Sequence, residues 1–178
     1  MYAAKRQLSG ALQYDAAFDS SSAQTLSLLT ELRHAVEHHE LRLYLQPKVP
    51  LHGQLGLAAE ALVRWQHPQR GLVPPMQFIP FAEQTGFVRH LTLWMFEEVA
   101  RLLADPRTQG LPLRVSVNLS TRDLLDPELS HRLADILVRH GVAASAFCLE
   151  ITESAIMDDP QRAEAMLNRL SEQGFKLS

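Results

Sequence analysis

The chain has 178 residues, enough for one domain or one domain with a flanking piece, and its 46% hydrophobic and 21% charged content suits a globular protein with a real core. A net charge of −3 gives no electrostatic case for binding a nucleic-acid polymer or an anionic membrane, and no run of about 18 apolar residues exists to span a bilayer. Cys148 is the sole cysteine, which excludes an intrachain disulfide and makes a reducing, cytoplasmic setting the default.

In chain order, residues 1–24 read as a leader. Met1 to Gly10 has two basic residues without the apolar segment of a signal peptide, and Ser20-Ser21-Ser22 reads as a linker and helix cap. Leu26, Leu29, Leu32 and Val36 recur at helical spacing, predicting an amphipathic helix over 23–39. Residues 41–49 alternate and read as a strand, His52-Gly53 as a turn, and 55–65 as the second strand of a hairpin. Gly71 and Pro74-Pro75 mark a loop. Helices are expected at 76–84 and 88–103, separated by Gly86, then a loop around Pro106, Gly110 and Pro112. A strand at 113–119, a helix at 127–140 closed by Gly141, a strand at 147–152 and a helix from Asp159-Pro160 to Gln173 follow; Phe175 opens another apolar run. Strict alternation after the hairpin argues an α/β chain with a parallel sheet of βαβ units. A complete (β/α)8 barrel needs about 250 residues, so 41–178 is expected to supply about half of one.

Three apolar runs each carry an acidic or amide side chain: Glu60 in AEALVRW, Asn118 in VSVNLS and Glu150 in LEITES. Read as buried strands, they have no structural need for a carboxylate, and a buried carboxylate calls for a cation. Three such residues on separate strands suggest one shared site for Mg²⁺, Mn²⁺ or Ca²⁺. The alternative is that each caps a helix or forms a salt bridge. Cys148 reads as a small core residue.

The segments YLQPKV (44–49), AEALVRW (59–65), FIPFAEQTG (78–86), VSVNLS (115–120) and LEITES (149–154) together resemble the EAL domain of bacterial cyclic-di-GMP phosphodiesterases. The leader MYAAKRQ (1–7) resembles the tail of a GGDEF diguanylate-cyclase domain, so the expected organisation is a GGDEF tail and linker over 1–24 and the N-terminal part of an EAL domain over 25–178. The resemblance implies a partial TIM-like barrel of EAL type with an antiparallel first strand. It implies hydrolysis of cyclic-di-GMP to linear pGpG with two Mg²⁺ or Mn²⁺ ions. Glu60, Asn118 and Glu150 are then metal ligands, and Glu60 is also catalytic. Glu153 is the second glutamate of its segment and anchors an active-site loop. Gln46, Leu62 and Arg64 are substrate contacts, with Arg64 suited to a phosphate by its fork of donors.

The family's further ligands, beginning with a DDFG segment, would follow Ser178. The chain is therefore expected to be C-terminally truncated, and inactive by itself. The competing reading is a non-catalytic module that binds nucleotide or protein in cyclic-di-GMP signalling. A third expectation is a homo-oligomer formed through EAL surfaces or exposed barrel edges, from strands expected to be apolar on both faces. The compartment is expected to be the cytoplasm, with tethering to a membrane only through other domains of a parent protein.

Overall fold

The computed structural model describes residues 16–51, 56–108, 110–152, 155–156 and 158–178, with side chains from Ser27 onward. Residues 1–15 of the leader, with its GGDEF-like segment, the His52-Gly53 turn, the Leu26 side chain and Glu153 lie outside the described residues.

Helix α1 runs Ala16–Glu37. Ser20-Ser21-Ser22 lies inside it, which corrects the helix-cap reading. Serine costs a helix at most about 0.7 kcal/mol relative to alanine, and the flanking residues carry the helix through. Leu32 and Ala35 are fully buried, with Leu28, Leu29 and Val36 packed beside them. His39, at φ 55°, turns the chain into strand β1 (Leu41–Pro47).

Strand β1 pairs antiparallel with β2 (Ala58–His67). β2 also pairs antiparallel with β3 (Gly71–Val73), a segment the sequence presents as loop. Three residues are too few to show a two-residue period, and the glycine that marks a loop here opens the strand at φ 69°, directly after the turn. Beyond β2 the sheet is parallel: β4 (Arg114–Leu119), β5 (Phe147–Ile151) and β6 (Lys176–Leu177), in the order β1-β2-β4-β5-β6. This is the expected α/β partial barrel: an antiparallel first strand followed by parallel ones.

The helices are α2 (Pro75–Thr85), α3 (Val88–Ala104), α4 (Thr121–Leu124), α5 (Leu129–His140) and α6 (Pro160–Glu172). Gly86 and Gly141, at φ 78° and 64°, close α2 and α5 as left-handed caps, the conformation that makes glycine a helix stop. The short α4 is not anticipated from the sequence, although Ser120-x-x-Asp123 is a capping-box pattern.

One face of the sheet packs on the helices. Ala59, Ala61, Trp65, Val115, Val117, Leu119, Phe147 and Leu149 are buried there, against Phe78, Phe96, Val99, Leu133 and Leu170. Phe96 stacks on Phe147 at 5.2 Å between centroids, and Trp65 meets Phe78 edge-on at 5.7 Å. The register puts the alternate residues on the other face: Arg42, Tyr44 and Gln46; Glu60, Leu62 and Arg64; Ser116 and Asn118; Cys148 and Glu150. The expectation of strands apolar on both faces is thus corrected. Side chains alternate with period two, so in AEALVRW only Ala59, Ala61, Val63 and Trp65 turn to the helices. Cys148, half-buried, belongs to the polar face and not to the core.

Candidate active site on the polar face of the sheet

The polar face gathers most of the residues singled out from the sequence. Gln46 pairs across β1–β2 with Glu60; Glu60 pairs across β2–β4 with Ser116; Asn118 pairs across β4–β5 with Glu150. Neighbouring side chains on one sheet face stand about 4.5–5.5 Å apart at Cβ, so these groups are within mutual reach. The Asn118 amide Nδ2 donates to Glu60 Oε1 at 2.8 Å. Glu150 is held differently: Lys48, just past β1, reaches across β2 and donates from Nζ both to Ser116 Oγ at 2.8 Å and to Glu150 Oε1. Glu60 and Asn118 therefore meet, while Glu150 lies beside Asn118 in register but pairs with an ammonium.

Arg64 closes the upper part of this face. Its guanidinium stands 5.7 Å from the Tyr44 ring centroid and donates to the Val63 carbonyl at 2.9 Å. That geometry uses one of five donors and leaves a planar cation available for an anionic ligand. Arg64, Leu62, Asn118 and Ser120 line a cavity of about 640 Å³ at the C-terminal ends of β2 and β4, closed on the helix side by residues such as Ile79 and Met95. Its size falls in the range of small-molecule pockets, and the ends of parallel strands are where barrel enzymes bind their ligands. Glu60, Glu150 and Gln46 do not line it.

Sequence reasoning missed the device that fixes the β4–α4 turn. Asp123 Oδ2 accepts from Ser120 N at 2.8 Å, Ser120 Oγ at 2.6 Å and Thr92 Oγ1 at 3.0 Å, tying the VNLS segment to α3. Asp123 is fully buried, its Oδ1 has no hydrogen-bond partner, and burial pushes its carboxyl up against the hydrogen bonds from Ser120 and Thr92 and the charge of Arg89. The capping-box spacing was the available signal; the Thr92 partner, 31 residues away, had none.

The donor set suits a hard divalent cation. Carboxylate and amide oxygens are the preferred ligands of Mg²⁺ and Mn²⁺, and turning the Asn118 amide presents Oδ1 to the space beside Glu60 in place of Nδ2. Among the described residues no group of three His, Cys, Asp or Glu stands close enough to hold a metal by itself.

A family profile described as the EAL domain matches residues 29–178. The chain is similar to the cyclic di-GMP phosphodiesterase PdeR of Escherichia coli, 36% identical over 152 residues, spanning 85% of this chain and 23% of that protein. It is also similar to the bifunctional diguanylate cyclase/cyclic di-GMP phosphodiesterase MucR of Pseudomonas aeruginosa, 34% identical over 180 residues, spanning 100% of this chain and 26% of that protein. Among solved structures, the PaMucR phosphodiesterase in complex with c-di-GMP superposes with a TM-score of 0.76 at 36% identity, covering 85% of this chain and 62% of that one. The FimX EAL domain from Pseudomonas aeruginosa bound to c-di-GMP gives a TM-score of 0.76 at 25% identity, covering 84% and 60%. The chain thus spans about a quarter of the length of these curated relatives and about three-fifths of the solved chains. With four of its five motifs on one mixed sheet, the fifth on α2, and the family profile covering 150 of its 178 residues, the chain belongs to the EAL domain family of cyclic-di-GMP phosphodiesterases.

Proposed function

We propose that this chain supplies the ligand-facing wall of a cyclic-di-GMP phosphodiesterase that opens one phosphodiester bond to give linear pGpG. The observation that carries the reading is the 2.8 Å contact between Glu60 and Asn118, oxygen-bearing side chains from adjacent parallel strands, with Glu150 next in line on β5. Similarity to PdeR, and to PaMucR solved with c-di-GMP, supports it.

In this reading Glu60, Asn118 and Glu150 hold Mg²⁺ or Mn²⁺. Such ions would supply Lewis-acid chemistry there, activating a water at neutral pH and stabilising charge on the phosphodiester oxygens. Arg64 takes a phosphate of the substrate through its free donors, Leu62 gives apolar contact beside it, and the Gln46 amide contacts the nucleotide from β1. Glu153 anchors a loop next to the site. The leader is read as the tail of a GGDEF domain, supported by the match to the bifunctional MucR over 100% of this chain.

The test is pGpG formation from cyclic-di-GMP by the full-length protein in Mn²⁺ or Mg²⁺. Glu60→Ala is expected to lower kcat on the order of 100-fold or more, the equivalent of about 3 kcal/mol of transition-state stabilisation. Metal-dependent turnover unchanged in that variant overturns the reading. One observation favours the competing module that binds cyclic-di-GMP without hydrolysing it: Glu150 is paired with Lys48 rather than joined to Glu60 and Asn118. Nucleotide binding with no pGpG in saturating Mn²⁺ identifies that case.

A further inference from the structure

The Lys48 ammonium is an unexpected occupant of the face proposed to bind metal. Its backbone N–H donates to the Ala58 carbonyl at 2.8 Å, which fixes the Lys48 main chain at the start of β2. From there the side chain crosses β2 and reaches the next two strands, donating to Ser116 Oγ on β4 and to Glu150 on β5. Side-chain exposures of 40% for Lys48 and 23% for Glu150 make this a partly desolvated pair, held more tightly than a surface ion pair yet open to water on the lysine side. The arginines of the same face do not duplicate it: Arg42 and Arg64 donate to the backbone carbonyls of Leu41 and Val63.

We propose that Lys48 is the resident counter-cation of Glu150, and that a divalent ion binds this face by exchanging with it, so that Lys48 sets the affinity of the site for metal. The proposal rests on the reading of Glu60, Asn118 and Glu150 as a cation site. Two physical facts carry the exchange. A divalent cation needs the carboxylate lone pairs at about 2.0–2.6 Å, and the ammonium already occupies the Oε1 side of Glu150. A cation of charge +1 beside one of +2 on the same carboxylate is repulsive, so the two occupy Glu150 in turn. Lysine suits the role because its flexible four-carbon stem and strongly hydrated head withdraw into solvent without leaving a buried charge behind. The consequence is specificity by charge: a monovalent ion gains too little to displace the ammonium, and a divalent one gains enough.

The decisive measurement is Mn²⁺ affinity, read by electron paramagnetic resonance titration of the full-length protein, for wild type, Lys48→Met and Lys48→Arg. Lys48→Met is expected to bind Mn²⁺ on the order of tenfold more tightly, the scale on which groups around a ligand shift metal affinity, while Lys48→Arg stays near wild type. Without metal, Lys48→Met is expected to melt at a lower temperature than wild type, and to gain more on adding Mn²⁺. Lys48→Gln, which keeps length and polarity, takes over the test if the methionine variant folds poorly. Unchanged or weaker Mn²⁺ binding in the neutral variants overturns the exchange and leaves the metal site standing. Wild-type and variant proteins that both fail to bind Mn²⁺ overturn the metal reading and the exchange together.

Discussion

Single residues carry the sharpest consequences at two places away from the polar face of the sheet. Glu97 on α3 accepts from His140 Nε2 and Arg139 Nη1 on α5, each at 2.6 Å. Burial acts to raise its carboxyl, and the hydrogen bonds and charges of His140 and Arg139 outweigh it, leaving the group below its ordinary value of 4.5. A depressed folded-state pKa gives stability that is fully present above the unfolded value and is lost as pH falls through the folded value. Urea unfolding of wild type and Glu97→Gln is therefore expected to differ at about pH 7 and to converge as pH falls through the folded-state value; a gap independent of pH would refute the ion pair. Asp123 is the second place. Asp123→Ala removes the acceptor of Ser120 and Thr92 together with the cap of α4, at an expected cost of about 2–3 kcal/mol. Asp123→Asn, which keeps an acceptor, should cost less, and equal losses in the two variants would count against the hydrogen-bond account.

At the level of elements, α3 organises the domain. It lies on the sheet through Phe96 and Val99 and against α5 through its outer side, and Phe96 joins Phe147 and Phe175 in one aromatic cluster. Truncating a buried phenylalanine costs about 3–5 kcal/mol, so Phe96→Ala is expected to lower the unfolding free energy by that amount; a loss below about 1 kcal/mol would mean that the cluster is not the core. Long elements were readable because α3 and α5 combine helical periodicity with glycine or proline stops, and their observed bounds differ from expectation by one or two residues. Short ones were not. β3 and α4 have three and four residues, too few to repeat a period, and each depends on a partner already in place: β2 for β3, and the Asp123–Thr92 contact for α4.

Over the whole molecule, the sheet has a dry face covered by helices and a polar face on which Asn118 is exposed and Glu60 half-buried. Charge stabilisation is weak where water has access. A polypeptide of residues 1–178 alone is accordingly expected to form pGpG far more slowly than a full EAL enzyme assayed in the same Mn²⁺ buffer, and comparable rates would show that the open face suffices. The edge strand β1 also leaves Tyr44 and Leu45 exposed, as is Val49 just beyond its end. Unpaired edges with apolar side chains favour association, so the same polypeptide is expected to self-associate; a 20.0 kDa species in light scattering at micromolar concentration would show otherwise. Among the described residues no helix is long and apolar enough to cross a membrane.

Sequence by itself determined the order of the main elements, the family, and which residues stand on β2, β4 and β5, because periodicity and short motifs are local properties of the chain. It also placed Glu60 and Asn118 close enough in type and strand position to be proposed as partners. Tertiary structure alone decided which face each side chain takes and whom it meets. The strands read as continuous apolar runs, yet their period-two geometry sends Glu60, Arg64, Asn118 and Glu150 to a polar face opposite the core. Lys48 meets Glu150 across 102 residues of sequence, and Thr92 meets Asp123 across 31. Such contacts leave no periodic trace, since nothing in the local chemistry of either partner encodes the distance that folding closes.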